Sequence, residues 1–287
     1  MKNTSNDKKI IHSITAMRAY AADAAASGEQ IGLVPTMGAL HEGHLSLVRT
    51  AASENDIVIV SVFVNPIQFD DPYDLSAYPK TLNSDAEAAF NAGADVVFAP
   101  GADDMYPKGF SSYIDMTGPS ERLCGASRAS HFRGVLTVVG KLFGICMPDM
   151  AYFGEKDAQQ LTIVRKMVNE LNMKVTIRGC PTIREEDGLA MSSRNARLSA
   201  DERVAARCLS RALDETCALY EAGEKSAEIL SKALYNAIEN EPLARVDYID
   251  IVDPLSLEAV TEARRGDLIA LAVYIGEVRL IDNRRFE

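Results

Sequence analysis

The chain has 287 residues, 47% of them hydrophobic and 25% charged, which is enough for one large domain or a main domain with a smaller partner. No apolar run approaches the ~18 residues of a membrane-spanning helix, so the pattern offers no membrane partner. A formal net charge of −11 opposes nonspecific attraction to a nucleic-acid backbone, and any anion site must therefore be local.

The first segment, MKNTSNDKKIIHSITAMRAY, has early lysines but neither an apolar core nor a small-residue cleavage site; it does not read as a secretory signal, and the expected compartment is the cytoplasm. IGLV (31–34) then leads into a histidine segment whose HLSLVRTAASE has helical spacing. DIVIVSVFVNP (56–66), β-branched and apolar on both faces, suits a central strand buried on both sides. SDAEAAFNAG (84–93) predicts a helix closed by Gly93, and DVVFAP (95–100) a strand stopped by proline. The unit repeats: RGVLTVVGKLFGICM is helical, MAYF (150–153) a short strand, DAQQLTIVRKMVNELN a helix and KVTIRG a strand. Strand, helix, strand in this order implies parallel neighbours with right-handed crossovers, hence an α/β, Rossmann-like, doubly wound parallel sheet.

After Ser199 the pattern changes. Ser199 and Glu202 read as a capping box opening one long amphipathic helix that runs to about residue 223, and a second helix is expected at 226–239. VDYIDIVDP, DLIALAVYIG and VRLIDN then read as strands joined by short turns. Helices followed by strands without alternation indicate a smaller C-terminal α+β domain. The expected division is 1–184 and 185–287, with the MSSRN loop at the junction. Cys124, Cys146, Cys180, Cys208 and Cys217, odd in number and without a C-x-x-C pair, read as reduced thiols rather than a disulfide framework or a zinc knuckle.

PTMGALHEGHLSLV (35–48) holds two of the four histidines. In an open parallel sheet, ligands lie beyond the carboxyl ends of the strands. Gly38 and Gly43 allow close backbone approach there, and a helix starting near His44 would aim unpaired N–H groups at an anion. A metal clamp, an anion cradle and a pair of ordinary surface residues are the three readings. HEGH is not H-E-x-x-H, and no third ligand stands nearby. Residues 38–44 mimic a phosphate loop, but His44 and Leu45 stand where its lysine and hydroxyl belong. Lys156, at a helix start where acids are usual, hints at an anionic guest. Local positive patches come from Arg122, Arg128, His131 and Arg133, and from Arg194 and Arg197.

H-x-G-H after a first strand resembles the signature of the nucleotidyltransferase superfamily, which includes class I aminoacyl-tRNA synthetases, and MSSRN (191–195) resembles its second, mobile signature. More closely, VPTMGALHEGHLSLV, VFVNPIQF, YPKTL, HFRGVLTVVGKLF, YFGEKDAQQL and REEDGLAMSSRN, in that order from about residue 31 to 200, are together similar to the pantothenate synthetase family. The resemblance implies ATP-dependent, AMP-forming condensation of pantoate with β-alanine through a pantoyl adenylate. It implies ATP as substrate and Mg2+ held largely by phosphates and water.

The same resemblance implies His41, His44, Lys156 and Arg194 as catalytic residues, His44 in the proton-donor position. Nucleotide contacts are implied for Met37, Gly38, Ala39, Leu40, His41, Glu42, Gly43 and His44, for Gly154, Glu155, Lys156 and Asp157, and for Ile183, Met191, Ser192, Ser193 and Arg194. Gln68 and Gln160 match the glutamines that hold pantoate, and Met37 with Thr137, Val138 and Val139 would wall its gem-dimethyl group. The implied partners are these small molecules, with no nucleic acid and no membrane, and a second copy in a homodimer. Asp85 stands where the family pattern has an acid, but Ser84 takes a place where a second acid often occurs, so metal ligands stay unassigned. Cys124 replaces a common glutamate and receives no role. The rival reading is an RNA-binding or tRNA-charging relative on the same fold; the acidic charge and the short chain after the loop stand against it.

Overall fold

The computed structural model describes residues 8–70, 75–128 and 130–287. Its larger sheet has six parallel strands in the order β1 (Lys9–Ile11), β4 (Val96–Phe98), β3 (Ile57–Val62), β2 (Ile31–Thr36), β5 (Met150–Gly154), β6 (Thr176–Cys180). Successive strand residues project to opposite faces, and the β-branched runs supply apolar groups to both. Ile31, Leu33, Ile57, Ile59, Val96, Phe98, Ala151 and Phe153 pack on one side, under α1 (Ile14–Ala26), α6 (His131–Cys146) and α7 (Ala158–Glu170). Val34, Val58, Val60, Val97 and Tyr152 pack on the other, under α2 (Glu42–Glu54) and α3 (Leu82–Ala92). The short helices α4 (Ala102–Met105) and α5 (Cys124–Ser127) lie in the connection that precedes α6. This is the doubly wound parallel sheet the alternation implies.

Several boundaries differ from expectation. The run 56–66 is strand only from Ile57 to Val62, because its neighbours end there: Val62 pairs with Thr36, the last residue of β2, and Ser61 with Phe98, the last of β4, and Pro66 then opens a 3-10 turn, Pro66–Gln68. Gly93 closes α3 in the left-handed region, φ 113°, where glycine carries no steric penalty. The two-histidine turn follows the second strand, not the first: β1, three residues long and paired only with β4 at the sheet edge, precedes it.

The smaller sheet is antiparallel: β7 (Ala244–Val252), β8 (Leu268–Ile275) and β9 (Val278–Arg285). The expected long helix after Ser199 is two, α8 (Ala200–Ala206) and α9 (Cys208–Glu221). At Arg207 the N–H reaches back only three residues, to the Val204 carbonyl at 3.3 Å, and this tightened turn ends α8 without a glycine or proline. The Ser199–Glu202 capping box does form. With α10 (Ala227–Glu239), these helices cover one face of the small sheet through Leu209, Leu213, Leu230 and Leu234. Val252, Leu257, Leu268 and Ala270 instead join the core of the large sheet.

Candidate active site

The strand order reverses at β2: the chain builds outward through β3 and β4 on one side, then returns to lay β5 and β6 on the other. Loops leaving β2 and β5 at their carboxyl ends therefore diverge and leave a crevice. From β2 comes the two-histidine turn. From β5 come a 3-10 turn, Glu155–Asp157, and then α7.

The turn after β2 is held from behind by Asp85, which is 4% exposed. Its carboxylate accepts the Ala39 and Leu40 N–H groups at 3.0 and 2.8 Å and the Thr81 hydroxyl at 3.0 Å. Gly38 lies at φ 87°, and a Cβ there would sit 2.9 Å from the Asp85 carboxylate, so only glycine lets the loop close on its acid. Both Asp85 oxygens are thus engaged by the loop. Gly38, Ala39 and Leu40 form the back of the site, Glu42 is paired with Arg49 on the exposed side of α2, and Glu155 contributes its backbone. These five expected nucleotide contacts are not part of the cavity lining.

His41 is the N-cap of α2, and His44 lies one turn further on. The Gly43 N–H donates to His41 Nδ1 at 3.2 Å, and the His41 N–H donates to His44 Nδ1 at 3.4 Å. A neutral ring that accepts at Nδ1 carries its proton on Nε2. Burial lowers the pKa of both, that of His44 to about 3, and the Lys156 charge pushes in the same direction. The pair therefore presents two neutral N–H donors at the positive end of a helix, their ring centroids 4.1 Å apart.

Lys156 comes from the turn after β5, is only 17% exposed, and stands 3.7 Å from Asp157. The third wall is the segment 183–194. Its base is pinned by ion pairs: Arg184 to Asp282 at 2.7 Å, and Arg203 to Glu185 and Asp187 at 2.8 and 2.9 Å. Ser192 caps a 3-10 turn that carries Ser193 and Arg194, and Ser193 hydrogen-bonds the Tyr78 phenol. His41, His44, Lys156, Ser192, Ser193 and Arg194 all line one cavity of about 220 Å³, and Met37, Gly43, Gly154, Asp157, Ile183 and Met191 complete its expected contacts. An adjoining cavity of about 760 Å³ shares Met37, Gln68, Lys156, Gln160, Ser192 and Arg194 with it and opens toward the small sheet.

Gln68 and Gln160 sit on the same lining. Gln68 is locked: its carbonyl oxygen accepts from Asn65 at 2.9 Å, its amide meets the Met37 sulfur at 2.8 Å, and His131 Nδ1 donates to its backbone carbonyl at 2.8 Å. Neighbouring Gln159 has a scaffold role, donating to the Pro119 and Arg122 carbonyls at 2.9 and 2.6 Å. Val138 and Val139 face the cavity, but Thr137 does not; its hydroxyl accepts the Ile114 N–H at 3.0 Å. Sequence reasoning missed Ser61, Asn65 and Tyr78. Asn65 and Tyr78 stand in segments already singled out for other residues, whereas Ser61 is a small residue in a run of valines with no signal of its own. Its hydroxyl is fully buried, unpartnered and on the lining.

Among the described residues no group of three His, Cys, Asp or Glu could hold a metal ion. Asp157 is the one carboxylate among the described residues lining the smaller cavity. This donor set fits an ion that arrives bound to a polyphosphate and keeps its water, with Asp157 in reach, rather than a protein cage.

The sequence profile of the Pantoate-beta-alanine ligase family matches residues 9–285. A pantothenate synthetase of Clostridium acetobutylicum is 50% identical over 275 residues, covering 96% of this chain and 98% of the relative. That of Heliobacterium modesticaldum is 52% identical over 275 residues, covering 96% and 98%. Among solved structures, a pantothenate synthetase of Thermus thermophilus superposes with a TM-score of 0.91 at 42% identity, covering 97% of this chain and 99% of that one. The Francisella tularensis pantoate-beta-alanine ligase, complexed with beta-gamma ATP and beta-alanine, gives 0.79 at 36% identity, covering 96% and 97%.

Proposed function

The chain belongs to the Pantoate-beta-alanine ligase family and joins pantoate to β-alanine at the expense of ATP, and we propose that it does so in two steps through a pantoyl adenylate. In the first, a pantoate carboxylate oxygen attacks the α-phosphorus of ATP and the bond to pyrophosphate breaks. In the second, the β-alanine amine attacks the acyl carbon, the bond to AMP breaks, and the amine loses a proton.

Negative charge grows on the departing pyrophosphate, so donors and cations already aimed there supply the largest catalytic effect. His41 and His44 offer Nε2–H groups, Lys156 and Arg194 charge, and Ser192 and Ser193 hydroxyls. Both histidines act as neutral hydrogen-bond donors. Gln68 and Gln160 hold pantoate, with Val138, Val139 and Met37 against its methyl groups. Magnesium enters with ATP, near Asp157.

The observation that supports this reading best is the shared cavity: the two-histidine turn, the Lys156 turn and the Ser192–Arg194 turn face one space, locally cationic in an acidic protein. The rival RNA-binding or tRNA-charging reading is not favoured, given the family and the charge. The reaction belongs in the cytoplasm, with the chain as a homodimer; no described helix is long and apolar enough to cross a membrane, and light scattering tests the dimer. The two-step order is tested by isotope exchange. Pantoate-dependent exchange between labelled pyrophosphate and ATP, without β-alanine, is expected; exchange only when β-alanine is present would overturn the adenylate.

A further inference from the structure

Two neighbouring residues of β9, both on the lining of the larger cavity, hold the phosphate-facing turns from the side of the small sheet. The Asn283 side-chain amide donates one hydrogen to the Glu155 carbonyl at 3.0 Å and the other to the Lys156 carbonyl at 2.9 Å. Asp282, 2% exposed, takes the Arg184 guanidinium on both oxygens at 2.7 and 2.8 Å, and the Asn283 N–H at 2.7 Å. The same guanidinium also donates to the Gly188 carbonyl at 2.9 Å, and Arg184 bridges Ala190 across the turn. Met191 then bonds back to Ile183 at 3.0 Å, which sets where Ser192–Arg194 begin. Successive strand residues project to opposite sides, so one dipeptide can fasten two loops at once.

We infer that Asn283 and Asp282 are positioning residues for the ligase reaction, Asn283 fixing the backbone from which Lys156 reaches and Asp282 fixing the Ser192–Arg194 turn opposite it. The inference rests on the ATP-dependent ligase reading above. Its physical ground is the lysine side chain itself: a point charge on a flexible four-carbon stem stays on target only if its Cα does. Asn283 and Asp282 lie along the larger cavity, yet the Asn283 amide donates to that backbone and the Asp282 carboxylate accepts from Arg184, so their polar groups are engaged by the two turns. In the ligase reading Lys156 and Arg194 meet the phosphates, and Asn283 and Asp282 act through them.

A double-mutant cycle tests this, read by pantoate-dependent pyrophosphate–ATP exchange. Asn283→Leu keeps the branching at Cγ, is somewhat larger and removes both donors, and it should lower the exchange rate on the order of 10–100-fold, as a ~1 Å misplacement of a catalytic group does. KM for pantoate should move less than about twofold, because the Asn283 amide bonds the Glu155 and Lys156 carbonyls and not the side chain of Gln68 or Gln160. In a Lys156→Ala background, Asn283→Leu should cost less than about twofold more, since the group it positions is gone. Asn283→Ser, which keeps one donor, should recover part of the rate, and it replaces Asn283→Leu in the cycle should the latter not fold. Asp282→Asn paired with Arg194→Ala should show the same non-additivity. Equal fractional losses with and without Lys156 would overturn the inference for Asn283, and equal losses with and without Arg194 would overturn it for Asp282. Wild-type enzyme without exchange would defeat the ligase reading itself, whereas normal wild-type exchange with a fully active Asn283→Leu variant would defeat only the positioning role.

Discussion

His41 and His44 each give Nδ1 to a main-chain N–H, so the polypeptide, before any ligand arrives, has decided which ring nitrogen faces the substrate. His44→Ala removes one such donor and should slow adenylate formation by ~10²-fold or more with the fold intact, measured as pyrophosphate release; near-normal release would contradict the role. The low pKa values also set a stability profile. The unfolded chain, with histidines near 6.5, binds protons that folded His41, His44 and His131 refuse, His44 until about pH 3 and His131 until about pH 4. Their contribution is complete above pH ~6.5 and declines as pH falls, by at most ~1.4 kcal/mol per pH unit for each histidine. Urea unfolding from pH 7 to 5, where few carboxylates titrate, should show this slope, and His131→Asn should make it shallower. A flat profile would mean the rings are protonated when folded. At this scale the motif positions were legible because they stand in order along the chain. The partnerships of Asp85, Gln159 and Thr137 were not, since each is set by a loop distant in sequence.

At the scale of elements, the doubly buried strands announced themselves through unbroken β-branched runs, and Gly93 announced a helix end. α1 is alanine-rich with weak amphipathicity, and β1 is too short to show a period, so neither was visible in the pattern. The break between α8 and α9 was invisible for a different reason: the apolar spacing continues through Arg207 while the backbone tightens by one residue. The contact between α3 and the turn after β2 has a measurable weight. Asp85→Asn places an amide donor against one of two backbone N–H groups, and it should destabilise by ~1–3 kcal/mol in urea unfolding and raise KM for ATP. Unchanged stability and KM would show that the turn holds its shape without the acid.

Across the whole molecule the two sheets share a core. Val252, Leu257, Leu268 and Ala270 lie among residues of the large sheet, and Arg184, Asp282 and Asn283 join the same two parts through polar contacts. Tyrosine fluorescence, the chain having no tryptophan, and far-UV circular dichroism should therefore report one coincident urea transition. Two separated transitions would show units that fold independently. The change from alternation to helices followed by strands revealed the second sheet, but not this joint core, because apolar residues on β7 and β8 look alike whichever neighbour buries them.

The reversal of strand order at β2 also governs how the molecule comes into being. Gly32 and Leu33 find their second neighbours only at Met150 and Ala151, so a ribosome must make more than a hundred further residues before that edge is covered. Until then the nascent chain carries a bare, strongly apolar strand edge, the kind of surface on which chains stick to one another. The crevice that will hold the nucleotide cannot exist during that interval.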